Sequence, residues 1–403
     1  MSEIKRLPCP DCGSSPVFSH RMERWSDSIN ELIAPFLFKT DQLWLKIERL
    51  ANRLRLKRLT VPCLRLLAIL RLGKIIDQPD EKTGQRGTCF WEAAKKYGVQ
   101  MFEFRLFHLP VELFFATKDR QAMIFNGLPR PLGRSYPAME WMDDKEICQK
   151  KFGEAGVPVP RSLACRRWSE ALNFFQQLNC KAIIKPALGS RSRHTTVDIA
   201  TEEELKTAFL KAKQISPRVM VQEELRGLLF RPTLIGGRLV AVVRRDPAYV
   251  VGDGVSTIRQ LAEKENSRPE RQGPLFHYLP LDEEAAVVLK RQNLDWPSLP
   301  ALGQYVFLGR KTSRGSGGSI TDVTEAVHPE NARLFEKIGE LLADPLVGLD
   351  FIIEDISRPW SEQKQCGLIE CNSLPFIDLH HFPLNGAPRD VASALWEIVL
   401  PTI

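Results

Sequence analysis

Residues 348–372, with the sequence GLDFIIEDISRPWSEQKQCGLIECN, contain two apolar runs joined by a polar connection typical of a hairpin. Side chains alternate between the two faces of a strand, so Glu370 and Asn372 project from the same face of the second run. Asp350 stands at the start of the first run and Asp355 where that run ends. These two aspartates lie on opposite faces, so only one can join Glu370 and Asn372. We expect Asp350 to do so and Asp355 to be solvated.

The two strands predict a magnesium site. Mg²⁺ prefers hard oxygen ligands and takes few of them from protein, because phosphates and waters complete its coordination. The carboxylates of Asp350 and Glu370 and the amide oxygen of Asn372 would supply three such ligands. The alternative is a solvent-facing strand that carries an acid and an amide, as many strands do. We expect both carboxylates to be exposed, so that removing them costs little stability.

The composition is that of a folded globular protein: 403 residues, 43% hydrophobic and 26% charged. The most apolar stretch, residues 59–70, is about half as long as a membrane span and contains Arg65. No transmembrane segment and no uninterrupted signal-peptide core are expected. The chain has nine cysteines, an odd number that favours a reducing compartment over a disulfide framework. A cytoplasmic location is therefore predicted.

The net charge of +7 is unevenly distributed, because residues 46–74 hold nine Lys or Arg and one acid. Residues 43–56 place apolar side chains at helical spacing, which predicts a basic amphipathic helix. The apolar positions are Leu43, Ile47, Leu50 and Leu54. Such a helix can bind an acidic polymer, a membrane surface or a partner, or can be a solvated helix packed through its leucines. No nucleic-acid partner is expected, because no recognition motif accompanies the charges.

Near the start, Cys9 and Cys12 have the spacing of one half of a zinc knuckle. Closing a Zn²⁺ site needs two more ligands. His20, Cys63 and Cys89 are the nearest candidates, but none completes a second CxxC. A metal-free turn or a dimer-bridging site are the alternatives to zinc, and a homo-oligomer stays open.

The chain changes character near residue 130, where a cluster of prolines at 129–137 ends any regular element. A helix with an aspartate cap follows and stops at Gly156. Helices and strands then alternate, which indicates an α+β or α/β layer architecture. The predicted segments are helix 167–179, strand 181–187, helix 201–215 with a capping box, and strand 218–225.

From about residue 131 to the C-terminus the chain resembles the ATP-grasp superfamily of carboxylate-amine ligases. Within it, the chain is most similar to the ATP-grasp domain of cyanophycin synthetase and to glutathione-synthetase-like relatives. The motifs that carry the resemblance are IIKPALG (183–189), VQEELRG (221–227), AVVRRDPAYVVGDGVSTIRQL (241–261), GGSITDVTEAVHPEN (317–331) and IECNSLPFIDLHHFPLNGAPRDVA (369–392).

The resemblance implies an α+β, ATP-grasp fold in residues 131–403. Two α+β lobes, about 140–225 and 226–403, would clamp ATP. Residues 1–130 would be a separate mixed N-terminal region of unknown function.

The resemblance also assigns site residues. Lys145 and Lys185 match the lysines that face the phosphates, where an ammonium offsets the charge spread over a transferring phosphoryl group. Backbone groups of Glu223 and Leu225 match those that bind adenine. Asp350, Glu370 and Asn372 match the Mg²⁺ ligands, and these are the same residues that the alternation of side chains along the two strands predicts. The resemblance implies two Mg²⁺ ions.

Two further residues match with alternatives. Arg244 matches the arginine that precedes the DPA motif and lies near the γ-phosphate, where a guanidinium grips phosphate or carboxylate in a bidentate manner. Arg245 is the alternative, because neighbouring strand residues face opposite ways. His380 matches a histidine of the active-site wall, and a purely structural role is equally open.

Three departures from the family pattern stand out. In the glycine-rich flap Gly189 is kept, but Ser192 and His194 occupy later glycine positions. Leu229 stands where an acid usually holds the ribose hydroxyls and can accept no hydrogen bond. Ser313 stands where the substrate-side NxS motif begins.

The implied activity is that of an ATP- and Mg²⁺-dependent ligase. It would join a small-molecule or peptide carboxylate to an amine through an acyl phosphate, with release of ADP and phosphate. The alternative, which the departures suggest, is a non-catalytic nucleotide-binding or scaffold protein derived from such a ligase.

Overall fold

The computed structural model describes residues 57–107, 109–119, 121–132, 134–187 and 194–402. The predicted basic helix at 43–56 and the Cys9–Cys12 pair lie outside these ranges. Backbone contacts group the described residues into two compact units. Unit 1 contains residues 57–74, Glu140–Leu225 and Gly367–Glu370, and unit 2 contains Ile75–Met139, Arg226–Cys366 and Cys371–Ile403.

Unit 1 has a four-stranded antiparallel sheet in the order β5-β8-β6-β7. Its strands are β5 (Ser162–Cys165), β6 (Ala182–Pro186), β7 (Thr196–Ile199) and β8 (Val219–Glu223). Its helices are α3 (Lys145–Glu154), α4 (Trp168–Gln176) and α5 (Glu202–Ala212), in addition to α1 (Lys57–Ile69). Apolar residues of α4 and α5 pack on one face of the sheet. The predicted capping box is confirmed, because Thr201 caps α5 and Glu204 completes the box.

The largest sheet of unit 2 has five strands in the order β13-β10-β9-β14-β15. They are β9 (Leu228–Ile235), β10 (Arg238–Asp246), β13 (Ser319–Asp322), β14 (Leu346–Ile353) and β15 (Gly367–Asn372), with helix α8 (Pro329–Leu342) before β14. The two strands predicted from residues 348–372 are therefore confirmed as β14 and β15. The division between the units falls inside β15, after Glu370.

A smaller subregion of unit 2 contains the hairpin β11 (Tyr249–Val251) and β12 (Tyr305–Phe307) with helices α6 (Ile258–Asn266) and α7 (Glu283–Arg291) around their own apolar core. The GDG turn after β11 needs its glycines for two different reasons. Gly254 has a φ of +79°, which only glycine adopts readily. At Gly252 an added Cβ would lie 2.2 Å from the carbonyl oxygen of Ala301, so a side chain has no room.

The N-terminal part of unit 2 is a four-stranded sheet that no pattern in the sequence predicted. Its strands, in sheet order, are β1 (Gly73–Ile76), β2 (Gln100–Leu106), β3 (Leu109–Lys118) and β4 (Gln121–Asn126). Helix α2 (Gln85–Lys96) crosses it and packs on the last regular helix, α10 (Val391–Val399), which follows the short α9 (Asp378–His381).

One hydrophobic core joins this sheet to the rest of unit 2. Phe90 of α2 stacks on Trp396 of α10 with ring centroids 4.2 Å apart, and the Trp396 indole N–H donates to the Phe90 carbonyl oxygen at 2.9 Å. Ile235 of β9 and Leu346 of β14 belong to the same core. The predicted domain boundary near residue 130 stays a prediction, but the structure groups residues 75–139 with the five-stranded sheet.

Within the described ranges, every helix is too short or too polar to cross a lipid bilayer.

Candidate active site

Arg231, Arg245 and Asp350 lie on one face of the five-stranded sheet. The register pairs Val243 with Arg231 and Arg245 with Leu229, so the side chains of Arg245 and Arg231 lie on the same face. On the other side of β9, Gly348 pairs with Thr233, which places Asp350 beside Arg231.

Asp350 is buried and held by arginine. Its side chain is 9% exposed, and the Arg231 guanidinium donates to both of its oxygens through Nε and Nη2, the latter at 2.7 Å. The guanidinium of a second arginine is also near, because Nη1 of Arg245 lies 3.8 Å from Oδ2 of Asp350. The expectation that this carboxylate is exposed is therefore wrong, because Asp350 is buried and pairs with a buried arginine.

Arg244 faces the other way and is already engaged. Its Nε donates to Oδ2 of Asp246 at 2.8 Å, and Asp246 is buried. Burial opposes the charge of Arg244, but neighbouring Asp246 outweighs it and keeps the pKa of Arg244 above its usual value. Burial also raises the pKa of Asp246, against the effect of Arg244. The geometry favours Arg245, the alternative of the pair, as the arginine next to the magnesium-ligand candidate Asp350.

His380 is fully buried in α9. Its Nε2 lies 2.7 Å from the hydroxyl of Thr233 on β9. Burial, reinforced by the charge of Arg231, lowers the pKa of His380 to about 3. The imidazole is therefore neutral at physiological pH, so it cannot supply positive charge to an anionic ligand.

In unit 1, Lys145 is the first residue of α3, and Asp144 caps that helix by accepting from the backbone N–H groups of Glu146 and Ile147. The Lys145 ammonium is buried and lies 3.6 Å from Oε2 of Glu370. The structure thus brings together a predicted phosphate-facing lysine and a predicted metal ligand within one unit. At this distance the two groups form an ion pair and no hydrogen bond, and the carboxylate keeps lone pairs for other ligands.

Lys185 lies in β6, where it pairs with Met220 of β8. Its neighbour Ile184 points into the helix-covered core, so Lys185 faces the opposite side of the sheet and is half-buried.

The predicted adenine-binding segment follows directly from the same sheet. Glu223 is the last residue of β8. Its Oε1 accepts from the backbone N–H of Arg161 at 2.9 Å, and its Oε2 accepts from Nε of Arg161 at 2.7 Å. Leu225 closes this part of unit 1, and its side chain lies 3.2 Å from where a Cβ on Gly367 would be. The assignments of Lys185, Glu223 and Leu225 stay predictions.

The departures from the family pattern have structural counterparts. His194, at a former glycine position, has a φ of +51° and is fully buried, with its Nδ1 2.7 Å from the carbonyl oxygen of Lys211. The backbone there keeps a conformation that suits glycine. Leu229 lies in β9 opposite Arg245, and the Ser313 hydroxyl lies 2.8 Å from that of Ser316.

The donor set fits magnesium in its chemistry. Asp350, Glu370 and Asn372 offer hard oxygen atoms, and in this structure both carboxylate oxygens of Asp350 also accept hydrogen bonds from Arg231. No cluster of three or more His, Cys, Asp or Glu side chains forms in the part of the chain that the structure describes. Mg²⁺ bound to a protein usually takes the rest of its coordination from phosphate oxygens and waters.

Several polar groups of this region escaped the sequence patterns. Arg231 was missed, although an arginine two residues from Thr233 inside an apolar strand signals a buried partner. The pair formed by Arg314 and the buried Asp378 was also missed. Nothing local in the sequence points to that pair, because its members are 64 positions apart.

The described residues have the ATP-grasp fold, and the resemblance to ATP-grasp carboxylate-amine ligases is confirmed. Over 269 residues the chain is 32% identical to the cyanophycin synthetase of Trichormus variabilis, an alignment that covers 64% of this chain and 29% of the relative. Over 284 residues it is 30% identical to the bifunctional glutathione biosynthesis protein GshAB of Mannheimia succiniciproducens, covering 67% of this chain and 37% of that protein.

Among solved structures, the bifunctional glutathione synthetase of Pasteurella multocida superposes with a TM-score of 0.59 at 23% identity. The match covers 79% of this chain and 43% of that one. No protein-family model matches the chain. The chain is thus a homologue of ligases, and it spans about a third of the length of the curated relatives it matches.

Proposed function

We propose that this protein is an ATP- and Mg²⁺-dependent ligase that joins a carboxylate to an amine through an acyl phosphate. The observation that carries the proposal is the sequence similarity, over about two thirds of this chain in each case, to proteins named cyanophycin synthetase and to bifunctional glutathione biosynthesis proteins. The activity we infer to be common to both groups is that of a ligase that consumes ATP. The proposal therefore concerns the class of reaction.

The reaction has two steps. A carboxylate oxygen of the first substrate attacks the γ-phosphorus of ATP, and the bond to ADP breaks. The amine nitrogen of the second substrate then attacks the acyl carbon and loses a proton, and phosphate leaves with the C–O bonding electrons. In-line phosphoryl transfer asks mainly for positioning and charge neutralisation.

The residues of this chain would divide these tasks. The ammonium groups of Lys145 and Lys185 would offset phosphate charge, and Arg245 would grip the transferring phosphoryl group or the acyl phosphate in place of Arg244. Asp350, Glu370 and Asn372 would hold Mg²⁺, which when bound neutralises phosphate charge and orients the oxygens. Neutral His380 would serve as a wall of the site.

A second candidate is a nucleotide-binding or scaffold protein that has lost catalysis. Leu229 favours it, because an apolar side chain at the ribose position cannot accept the hydrogen bonds that an acid would, a loss of about 1–3 kcal/mol. The Lys145–Glu370 pair supports the catalytic proposal instead, because it brings a phosphate-facing lysine, 6% exposed as a residue, beside the carboxylate proposed to hold Mg²⁺.

The test is a screen of amino acids and short peptides in carboxylate–amine pairs, with ATP and Mg²⁺, scored by phosphate release. We expect ADP as the nucleotide product and an amide confirmed by mass. Formation of AMP and pyrophosphate would contradict the acyl-phosphate route. Glu370→Gln, which keeps the size of the side chain, is expected to fold and to abolish product formation on the same pair.

If no pair turns over, thermal unfolding with and without millimolar ATP separates the remaining possibilities, since a ligand of the folded state raises apparent stability. A shift that needs ATP supports the non-catalytic nucleotide-binding protein. If ATP does not change the unfolding temperature, the scaffold protein without nucleotide binding is the remaining candidate.

A further inference from the structure

Two arginines from the N-terminal part of unit 2 bind the chain immediately after Asn372. Nη2 of Arg130 donates to the carbonyl oxygen of Ser373 at 2.7 Å. Nη1 of Arg86, on α2, donates to the carbonyl oxygen of Leu374 at 2.8 Å. Consecutive carbonyl groups of one segment are thus each held by a guanidinium.

Both arginines are themselves fixed. The side chain of Arg130 is 7% exposed, and its Nε donates to both oxygens of buried Asp344 at 2.8 Å. Its Nη2 also reaches the carbonyl oxygen of Leu346 at 3.3 Å. Leu346 begins β14, the strand of Asp350, so one guanidinium joins the start of β14 to the end of β15.

Arg86 is held in the same way from the side of the N-terminal sheet. Its Nη2 is hydrogen-bonded to Glu112 of β3, and its guanidinium carbon lies 5.6 Å from the ring centroid of Phe376. Its side chain is 13% exposed. The arginine therefore has little freedom to leave Leu374.

Packing holds the same segment from two sides. Gly127, with a φ of +64°, comes so close to Leu374 that an added Cβ would lie 3.2 Å from its side chain. At Gly348 of β14, an added Cβ would lie 2.7 Å from Cβ of Pro375. Residues 373–376, called the anchor segment below, are thus fixed by hydrogen bonds and by close packing.

The anchor segment matters because it continues directly from Asn372, whose buried Nδ2 has no hydrogen-bond partner among the described residues. The backbone position from which the Asn372 side chain projects is fixed on one side by the place of β15 next to β14 in the sheet, and on the other side by the two guanidinium groups. A ligand atom held loosely loses affinity for its metal, and loss of such supporting contacts typically costs about 10–100-fold in metal affinity.

We propose that Arg86 and Arg130 are positioning residues that orient Asn372 toward a nucleotide-bound Mg²⁺ ion, so that the N-terminal sheet of unit 2 tunes the metal dependence of the ligase. This inference rests on the proposed function for the role of the ion. The positioning itself rests only on the contacts above. The resemblance assigns no role to residues 75–130, and positioning Asn372 would be one.

The test uses the full chain and a non-hydrolysable ATP analogue. Binding of the analogue is measured by calorimetry over a titration of Mg²⁺. Arg86→Gln is expected to raise the Mg²⁺ concentration for half-maximal binding about tenfold, the low end of the effect of lost supporting contacts. Arg130→Lys, which keeps the charge beside Asp344 but cannot reach all of its acceptors, is expected to act in the same direction.

Two control variants separate positioning from general destabilisation. Glu112→Gln removes the charge of the residue that pairs with Arg86 and leaves the bond to Leu374, so the Mg²⁺ dependence is expected to stay within twofold of the wild type, which corresponds to about 0.4 kcal/mol. Arg105→Lys weakens a network of the same sheet that does not touch the anchor segment, namely the bonds of Arg105 to Asp80, Thr83 and Glu103. It should lower the melting temperature without moving the Mg²⁺ dependence.

Hydrogen exchange of the protein without nucleotide gives a second readout. A peptide covering residues 368–377 is expected to exchange faster in Arg86→Gln than in the wild type or in Arg105→Lys. Unchanged exchange of this peptide in Arg86→Gln, or an equal shift of Mg²⁺ dependence in Arg105→Lys, would overturn the inference. If the wild type binds the analogue without any need for Mg²⁺, the proposed function fails instead, while the exchange measurement still decides whether the arginines position the segment.

Discussion

Substituting Phe90 by alanine tests whether the N-terminal sheet and the five-stranded sheet of unit 2 fold as one body. Phe90 is fully buried, stacks on Trp396 at 4.2 Å and meets Phe125 edge-on at 5.7 Å. Removing such a ring typically costs about 3–5 kcal/mol. In a body of about 240 residues each kcal/mol lowers the melting temperature by about 2–4 °C, so a fall of about 6–20 °C is expected.

The assay is thermal unfolding combined with hydrogen exchange of peptides from both sheets. If the shared core is real, peptides from β3 and from β14 lose protection together in the variant. Phe107→Ala is the matched control, because Phe107 is 62% exposed and its loss should change the stability by less than about 0.5 kcal/mol. Early loss of protection confined to residues 75–126, with the five-stranded sheet melting at its original temperature, would refute the single core.

Three further predictions concern the candidate site. Asp350→Ala should lower the free energy of unfolding by about 3–5 kcal/mol, because it removes the carboxylate that pairs with buried Arg231. Glu92→Ala, which breaks an ion pair with Lys95 whose side chains are both more than half exposed, should cost under about 1 kcal/mol. Urea unfolding compares the two variants, and equal costs would show that burial does not decide the cost. His380 has a folded pKa of about 3 against about 6.5 when unfolded. Below pH 6.5 the unfolded chain therefore takes up a proton that the folded one does not, and stability should fall by about 2 kcal/mol between pH 7.5 and 5; denaturation at both pH values should show that His380→Gln lacks this loss. Arg245→Gln should lower kcat by about 100-fold and Arg244→Gln by much less, and steady-state kinetics giving the reverse order would restore Arg244 to the role.

The elements that the sequence predicted are those whose signals are local. The capping box formed by Thr201 and Glu204 predicts helix α5, and two apolar runs with a polar connection predict strands β14 and β15. The pairing of Lys145 with Glu370 was not predicted as a contact, but both residues were already assigned to the site by the family motifs. Local patterns therefore predicted individual helices and strands, and the family motifs predicted the ATP-grasp fold.

What the sequence did not show depends on partners far along the chain. Asp350 is buried and paired with Arg231, which lies 119 positions away in the sequence, and no periodic pattern connects the two residues. The N-terminal sheet packs through α2 on α10, far along the chain, and no local pattern in the sequence predicted strands β2 to β4. Tertiary contacts decided both cases, as they do wherever an element owes its stability to packing.

The contact between Phe90 and Trp396 also sets a delay during synthesis. The two residues are 306 positions apart, and a ribosome adds about 5–20 residues per second. The N-terminal sheet therefore leaves the ribosome about 15–60 s before the helix that covers it. For that interval the apolar surface that α10 later covers is exposed on the nascent chain, so a ribosome that stalls before α10 leaves this segment open to aggregation or to chaperone binding.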